Sequence, residues 1–283
     1  MNRDRTDRGS KPLRSALLAV LLPISGLFPA LAEEAALPPA DSVLEKYLEA
    51  TGGREAHEGV RNAVTEGTME MPAQGIALQV TVWVARPNLS YTRTDSEVTG
   101  RIEKGSNGTV VWEKSVMAGP RVLEGQERED YLRESALDKH LRWRDFYESG
   151  EVTGIEDVAG RSCWVLVLKS KGGKPQTLYV DRESGLISKV AMTLDTPMGS
   201  VPVETTLEDY REAEGIRSAF RAHTKIVGQE RVMTVKSIRR NVDVPPGLFA
   251  LPAEIEELVA KKAAPPAAPA EQGGEGRPRG ITR

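Results

Sequence analysis

From Val60 to about Leu251 the chain alternates apolar and polar positions with period two, and Gly, Pro, Asn and Asp interrupt the alternation at short intervals. In residues 76–84, Ile76, Leu78, Val80, Val82 and Val84 fall on one face, and Gln79, Thr81 and Trp83 on the other. Pro87-Asn88 then turns the chain into a second strand over 89–97. The same pattern predicts strands at 109–112, 163–169, 177–181, 186–195, 201–210, 222–227 and 231–238, most of them entered through a Gly-containing turn. About ten strands with short links predict an antiparallel meander that curls into a barrel or half-barrel.

Three stretches change period. Residues 41–53 predict a helix: Asp41 or Ser42 is the expected N-cap, Val43, Leu44, Tyr47 and Leu48 form one stripe, and Gly52-Gly53 ends it. Residues 125–143 interrupt the meander with helix formers, with Leu132, Ala136, Leu137, His140 and Leu141 at near-helical spacing. Such an insertion must lie against the sheet or across the mouth of a barrel. A short helix is expected at 253–262, and the Pro/Ala/Gly-rich segment 263–283 has almost nothing to bury and is expected to be disordered.

Several strands are apolar on both sides. Cys163, Val165 and Val167 alternate with Trp164, Leu166 and Leu168, while Val190 and Met192 share a strand with Ile187 and Ala191. Both faces must be covered. Either the sheet packs between helices and a filled interior, or it wraps an apolar hollow that receives a lipid.

The N-terminal segment sets the compartment. Arg3, Arg5, Arg8, Lys11 and Arg14 precede an apolar run over 15–28, and Ala30-Leu31-Ala32 follows as a small-x-small cleavage pattern. This predicts a secretory signal peptide over 1–32, a linker over 33–40 and a mature protein in the periplasm. The run is broken by Pro23 and Gly26 and is shorter than the ~20 residues a membrane span requires. The leader carries five basic and two acidic residues, so its removal lowers the formal charge of the chain from −3 to −6. That balance excludes a broadly basic nucleic-acid binder. Cys163 is the only cysteine, so no intramolecular disulfide can form and the core must hold the exported fold together.

Catalytic chemistry is sparse. His57, His140 and His223 show no metal-ligand spacing and read as ordinary surface or helix-face histidines. No nucleophile elbow, P-loop or dinucleotide fingerprint follows a strand. Acidic pairs such as Glu208-Asp209 are common in a chain with 28% charged residues, which leaves a hydrolase with dispersed carboxylates as a minor alternative.

The order of elements resembles a known family. An export signal, a helix ending in Thr51-Gly52-Gly53, strands, a helical insertion and a return through YVDRESGLISKV (179–190), TPMG (196–199), LEDYREAEGIRSAF (207–220) and VPPGLFALP (244–252) are similar to the LolA/LolB-like lipoprotein-sorting proteins. GTVVWEKSVMAGPRVLEGQE (108–127) resembles the strand that leads into that group's lid helix. The resemblance covers about 41–252. It implies a mainly β fold with helices, an incomplete antiparallel barrel covered by the N-terminal helix and an inserted lid helix over 126–141. The implied function is an exported carrier that holds the acyl chains of a lipoprotein or another lipid and moves them across the periplasm, with inner- and outer-membrane transfer proteins as partners. No catalytic residue, metal or cofactor is needed. The expected cavity lining is Leu78, Val80, Val82, Tyr91, Leu166, Val190, Met192 and Val203, and the lid would contribute Leu132, Leu137 and Leu141. A sensing module that recognises a lipidated or misfolded partner without transport is the alternative in a different class.

Overall fold

The computed structural model describes residues 36–196 and 199–263. The expected signal peptide at 1–32, the first part of the linker and the tail beyond Ala263 lie outside the described residues. The described chain forms thirteen antiparallel strands in one sheet: β1 (Asn62–Met71), β2 (Ile76–Ala85), β3 (Leu89–Ser96), β4 (Gly100–Asn107), β5 (Val111–Ser115), β6 (Gly119–Leu123), β7 (Tyr147–Val158), β8 (Arg161–Ser170), β9 (Pro175–Asp181), β10 (Ile187–Thr196), β11 (Gly199–Ala213), β12 (Ile216–Ile226) and β13 (Gln229–Arg240). Their order is β6-β5-β4-β3-β2-β1-β13-β12-β11-β10-β9-β8-β7. The first and last strands of this order do not pair, so the sheet is an open, curved half-barrel, as the alternation predicts.

The sheet has more strands than the expected ten. The strands outside the nine segments named from the sequence are β1, β4, β6 and β7, and each hides its alternation in a different way. In β1 the inward position 67 is a glycine, and β4 reads RIEKGSN with little apolar contrast between its faces. β6 is a five-residue edge strand containing Pro120. β7, the other edge, is rich in Gly and Glu and shifts register twice, at Tyr147/Ser149 and Val152/Gly154. Polar, short and bulged strands suit sheet edges, where unpaired backbone must not recruit another chain.

Helix α1 (Ala40–Ala50) lies on the inner face of the sheet. Its N-cap is Pro39, two residues before Asp41, and no side chain makes a cap bond. Asp41 instead accepts hydrogen bonds from the Arg144 guanidinium and, at 3.1 Å, from Trp143 Nε1. Ala40, Val43 and Leu44 pack with Trp143, Tyr147, Val152, Leu166, Leu168, Leu178, Val180 and Ile187 to form the main core. α1 therefore fills the hollow over β7–β10. A short α2 (Arg54–Glu58) follows it.

The insertion differs from a single lid helix. α3 (Gly125–Ser135) stops where Ala136 adopts an extended backbone, φ −64° and ψ 122°. Ser135 Oγ donates back to the Tyr131 carbonyl at 2.8 Å, the kind of bond that competes with helix propagation. Residues 136–142 then run as a non-helical strap to the one-turn α4 (Trp143–Phe146). Asp138, only 6% exposed, accepts from Arg142 Nε at 2.9 Å within the strap and is ion-paired at 3.4 Å with Arg86 Nε, just past the end of β2, which ties the strap to the sheet. α5 (Ala253–Ala263) packs on β6 with Ile255 fully buried.

Candidate functional site

Where α1 does not fill the half-barrel, a cavity of about 510 Å³ remains, a size typical of small-molecule sites. Its floor is the inner face of β1, β2, β3, β12 and β13, contributing Ala63, Thr65, Val82, Val84, Ser90, Thr92, Ile216, Ile238 and Arg240. The strap forms its roof with Ala136, Leu137, Asp138, His140 and Leu141, and Tyr47 and His57 close the side toward α1 and α2. The register explains why these floor residues meet. Val82 stands opposite Thr65 and Thr92, and Val84 opposite Ala63 and Ser90. Ala63 and Thr65 in turn stand opposite Arg240 and Ile238.

The polar groups in the wall are held in place. Tyr131 of α3 accepts a hydrogen bond from Ser90 Oγ at 3.0 Å. His140 packs edge-on against Tyr47, with ring centroids 5.0 Å apart. Burial, aided by the nearby Lys139 charge, pulls the His140 pKa down to about 3, so its ring is neutral at physiological pH. His57 Nε2 lies 2.8 Å from Thr51 Oγ1, and burial together with the Arg240 charge holds its pKa below the ordinary value. Neither histidine is an ordinary surface group. Both are half-buried in the cavity wall, His57 on α2 and His140 on the non-helical strap, where spacing predicts surface or helix-face groups. His223, by contrast, lies beside Glu230 at 3.4 Å on the far part of the sheet.

Of the expected lining and lid residues, the structure gathers Val82, Leu137 and Leu141 at this cavity. Leu78 and Val80 lie on the same face of β2, buried farther along the strand. Leu166 is fully buried and Val190 packs beside it in the core under α1. Met192 borders a separate depression of about 320 Å³ with Gln126, Arg133 and Gln176, and Val203 is buried opposite it on β11. Tyr91 stands opposite Trp83, so it faces away from Val82, and its hydroxyl donates to Glu103. Leu132 is half-buried on α3 outside the lining. The expectation missed Tyr47, His57, Ser90, Asp138, His140 and Arg240. Inward alternation alone could have flagged Ser90; the others sit on elements whose position over the cavity is a tertiary fact.

Among the described residues no group of three His, Cys, Asp or Glu side chains is arranged to hold a metal ion. No described helix is long and apolar enough to cross a membrane.

No protein-family model matches the chain, and no curated protein matches it in sequence. Solved structures do match. A DUF1329 family protein from Desulfovibrio piger superposes with a TM-score of 0.53 at 12% identity, over 75% of this chain and 98% of that one. A LolA superfamily protein from Nitrosomonas europaea superposes with a TM-score of 0.52 at 15% identity, over 76% of this chain and 99% of that one. The fold is LolA-like. At these identities the likeness concerns architecture alone.

Proposed function

We propose that this LolA-like chain is an exported carrier that holds an acyl chain of a lipoprotein or another lipid in the cavity under the 136–142 strap and moves it across the periplasm. The observation that carries this reading is the unequal filling of one continuous sheet. Over β7–β10 α1 packs the core and leaves only a depression of about 320 Å³ near Met192, while over β1–β3, β12 and β13 a cavity of about 510 Å³ is left beneath a non-helical strap. An acyl chain gains about 0.8 kcal/mol per methylene it buries, so a partly apolar hollow of this size can hold one without any covalent step. The fold of the two superposed structures is consistent with the reading. The compartment follows from the sequence of residues 1–32, and N-terminal sequencing of the exported protein is expected to find Glu33 as the first residue. A start at Met1 in a membrane fraction would convert the carrier into an anchored protein.

Binding is tested with a fluorescent fatty-acyl probe. The wild-type protein should bind it, and Val82→Glu should abolish binding with a small change in melting temperature, because a carboxylate in a cavity that water can enter is far less costly than one in a packed core. Absence of probe binding by the wild type, together with no co-purifying lipid by mass spectrometry, would overturn the proposal.

A further inference from the structure

The charges in the cavity wall are not balanced alike. Asp138 is ion-paired twice, to Arg142 Nε at 2.9 Å and to Arg86 Nε at 3.4 Å. Glu134 is paired with Lys139 Nζ at 2.8 Å and Arg133 Nε at 3.3 Å, and Gln176 Nε2 donates to it at 3.2 Å. Burial pushes the Glu134 carboxyl up, but Lys139 and Arg133 outweigh it and hold it below the usual carboxylate range. Both acids are therefore neutralised by cations that do not line the cavity.

Arg240 is in the opposite position. Its guanidinium is half-buried in the wall, and it donates to two neutral acceptors, the Ala213 carbonyl and, at 2.8 Å, Ser218 Oγ. Glu214 accepts the backbone N–H of Arg240, and among the described residues no carboxylate lies within 4 Å of the guanidinium. Among the described residues, three of its five N–H donors have no partner. Arg217, exposed and also in the lining, has no ion pair among the described residues either. Burial disfavours the Arg240 charge, and the Glu214 carboxylate offsets this only in part and without a direct ion pair; such a partly desolvated guanidinium is suited to a planar or tetrahedral anion that offers two oxygens.

We propose that the cavity selects an amphiphile with an anionic head, a carboxylate or a phosphate monoester, seated on Arg240 with Arg217 beside it. This rests on the acyl-carrier reading and specifies its ligand class. The apolar chain would run along Val82, Val84, Leu137 and Leu141, away from the Arg240 position at the end of β13.

The test is displacement of a neutral acyl probe from the full exported chain by three ligands of equal chain length: palmitate, a palmitoyl lysophosphatidate and hexadecanol. The two anions should compete about 10-fold or more better than the alcohol, the scale of one hydrogen bond to a charged group, and 0.5 M salt should narrow the gap. A preference for only one anion assigns the head as carboxylate or phosphate. In Arg240→Gln the anion-to-alcohol ratio should collapse toward one. If that variant does not fold, the wild-type ratio decides, and Arg217→Gln should reduce it. Equal competition by all three ligands in the wild type overturns the headgroup assignment and leaves the acyl cavity standing, whereas failure of all three to bind overturns the carrier reading itself.

Discussion

Gly52 shows how one residue positions the site. Its φ of 129° is open to glycine, and a Cβ there would meet the Gly215 carbonyl oxygen at 2.3 Å. That close approach lets Arg217 N–H donate to the Thr51 carbonyl at 2.9 Å, tying the end of α1 to the turn that places Arg217 and Ile216 at the cavity. Gly52→Ala should cost ~1–3 kcal/mol of strain and lower the melting temperature by several degrees in a thermal scan; an unchanged melting point would mean that the turn can shift freely. His140 has a different signature. Its pKa is about 3 in the folded protein against about 6.5 when exposed, so the unfolded chain binds the extra proton first. The stability that depends on a neutral ring is complete above about pH 6.5 and is lost as pH falls toward 3. The limiting slope is about 1.4 kcal/mol per pH unit. Denaturant titrations at several pH values should show a flatter pH dependence for His140→Gln than for the wild type between pH 6.5 and 3, and parallel curves would show that the ring titrates normally.

At the scale of elements, two covers share one sheet face and differ in kind. α1 places Val43 and Leu44, 1% and 2% exposed, against strands β7–β10, whereas the strap holds Leu137 and Leu141 half-buried over empty volume. Leu44→Ala should therefore destabilise by ~2–5 kcal/mol in equilibrium unfolding and leave the release rate of a bound acyl probe unchanged. Leu137→Ser with Leu141→Ser should do the reverse, speeding release with a modest loss of stability. A large stability loss with no kinetic change would make the strap a part of the core. The same contrast explains what was legible in the sequence. The α1 stripe and the inward set Leu78, Val80, Val82, Leu166, Val190, Met192 and Val203 could be read from their period, and the strand register carries all of them on one continuous face. Which part of that face α1 would plug could not be read, so Leu166 and Val190 went to the core and Val82 to the hollow. The end of α3 was equally silent, since residues 132–141 keep a helix-forming composition past the point where Ala136 leaves the helix. Arg240 came to the cavity only through the pairing of β13 with β1, across more than 170 residues of chain.

At the scale of the whole molecule, an open sheet of thirteen strands has two edges, and the fold protects each differently. β7 carries its own protection in two register shifts and a row of glycines and acids that spoil it as a template. β6 is short and contains Pro120, and it also lies under α5, which is held by fully buried Ile255 and by ion pairs from Lys114 to Glu254 and from Lys262 to Glu124. Surface ion pairs of this kind contribute little, so the apolar anchor dominates the docking of α5. Ile255→Asp would place a carboxylate in a site with no water access, and the cheaper response is for the helix to detach. The edge of β6 would then be bare beside β5 residues Val111 and Trp112, 0% and 3% exposed in the intact fold. The variant should keep its far-ultraviolet circular dichroism apart from a small loss of helix and should associate with increasing concentration in light scattering, while Lys114→Ala should remain like the wild type. A monodisperse Ile255→Asp protein over the same concentration range would show that β6 needs no cover and that its brevity and Pro120 suffice.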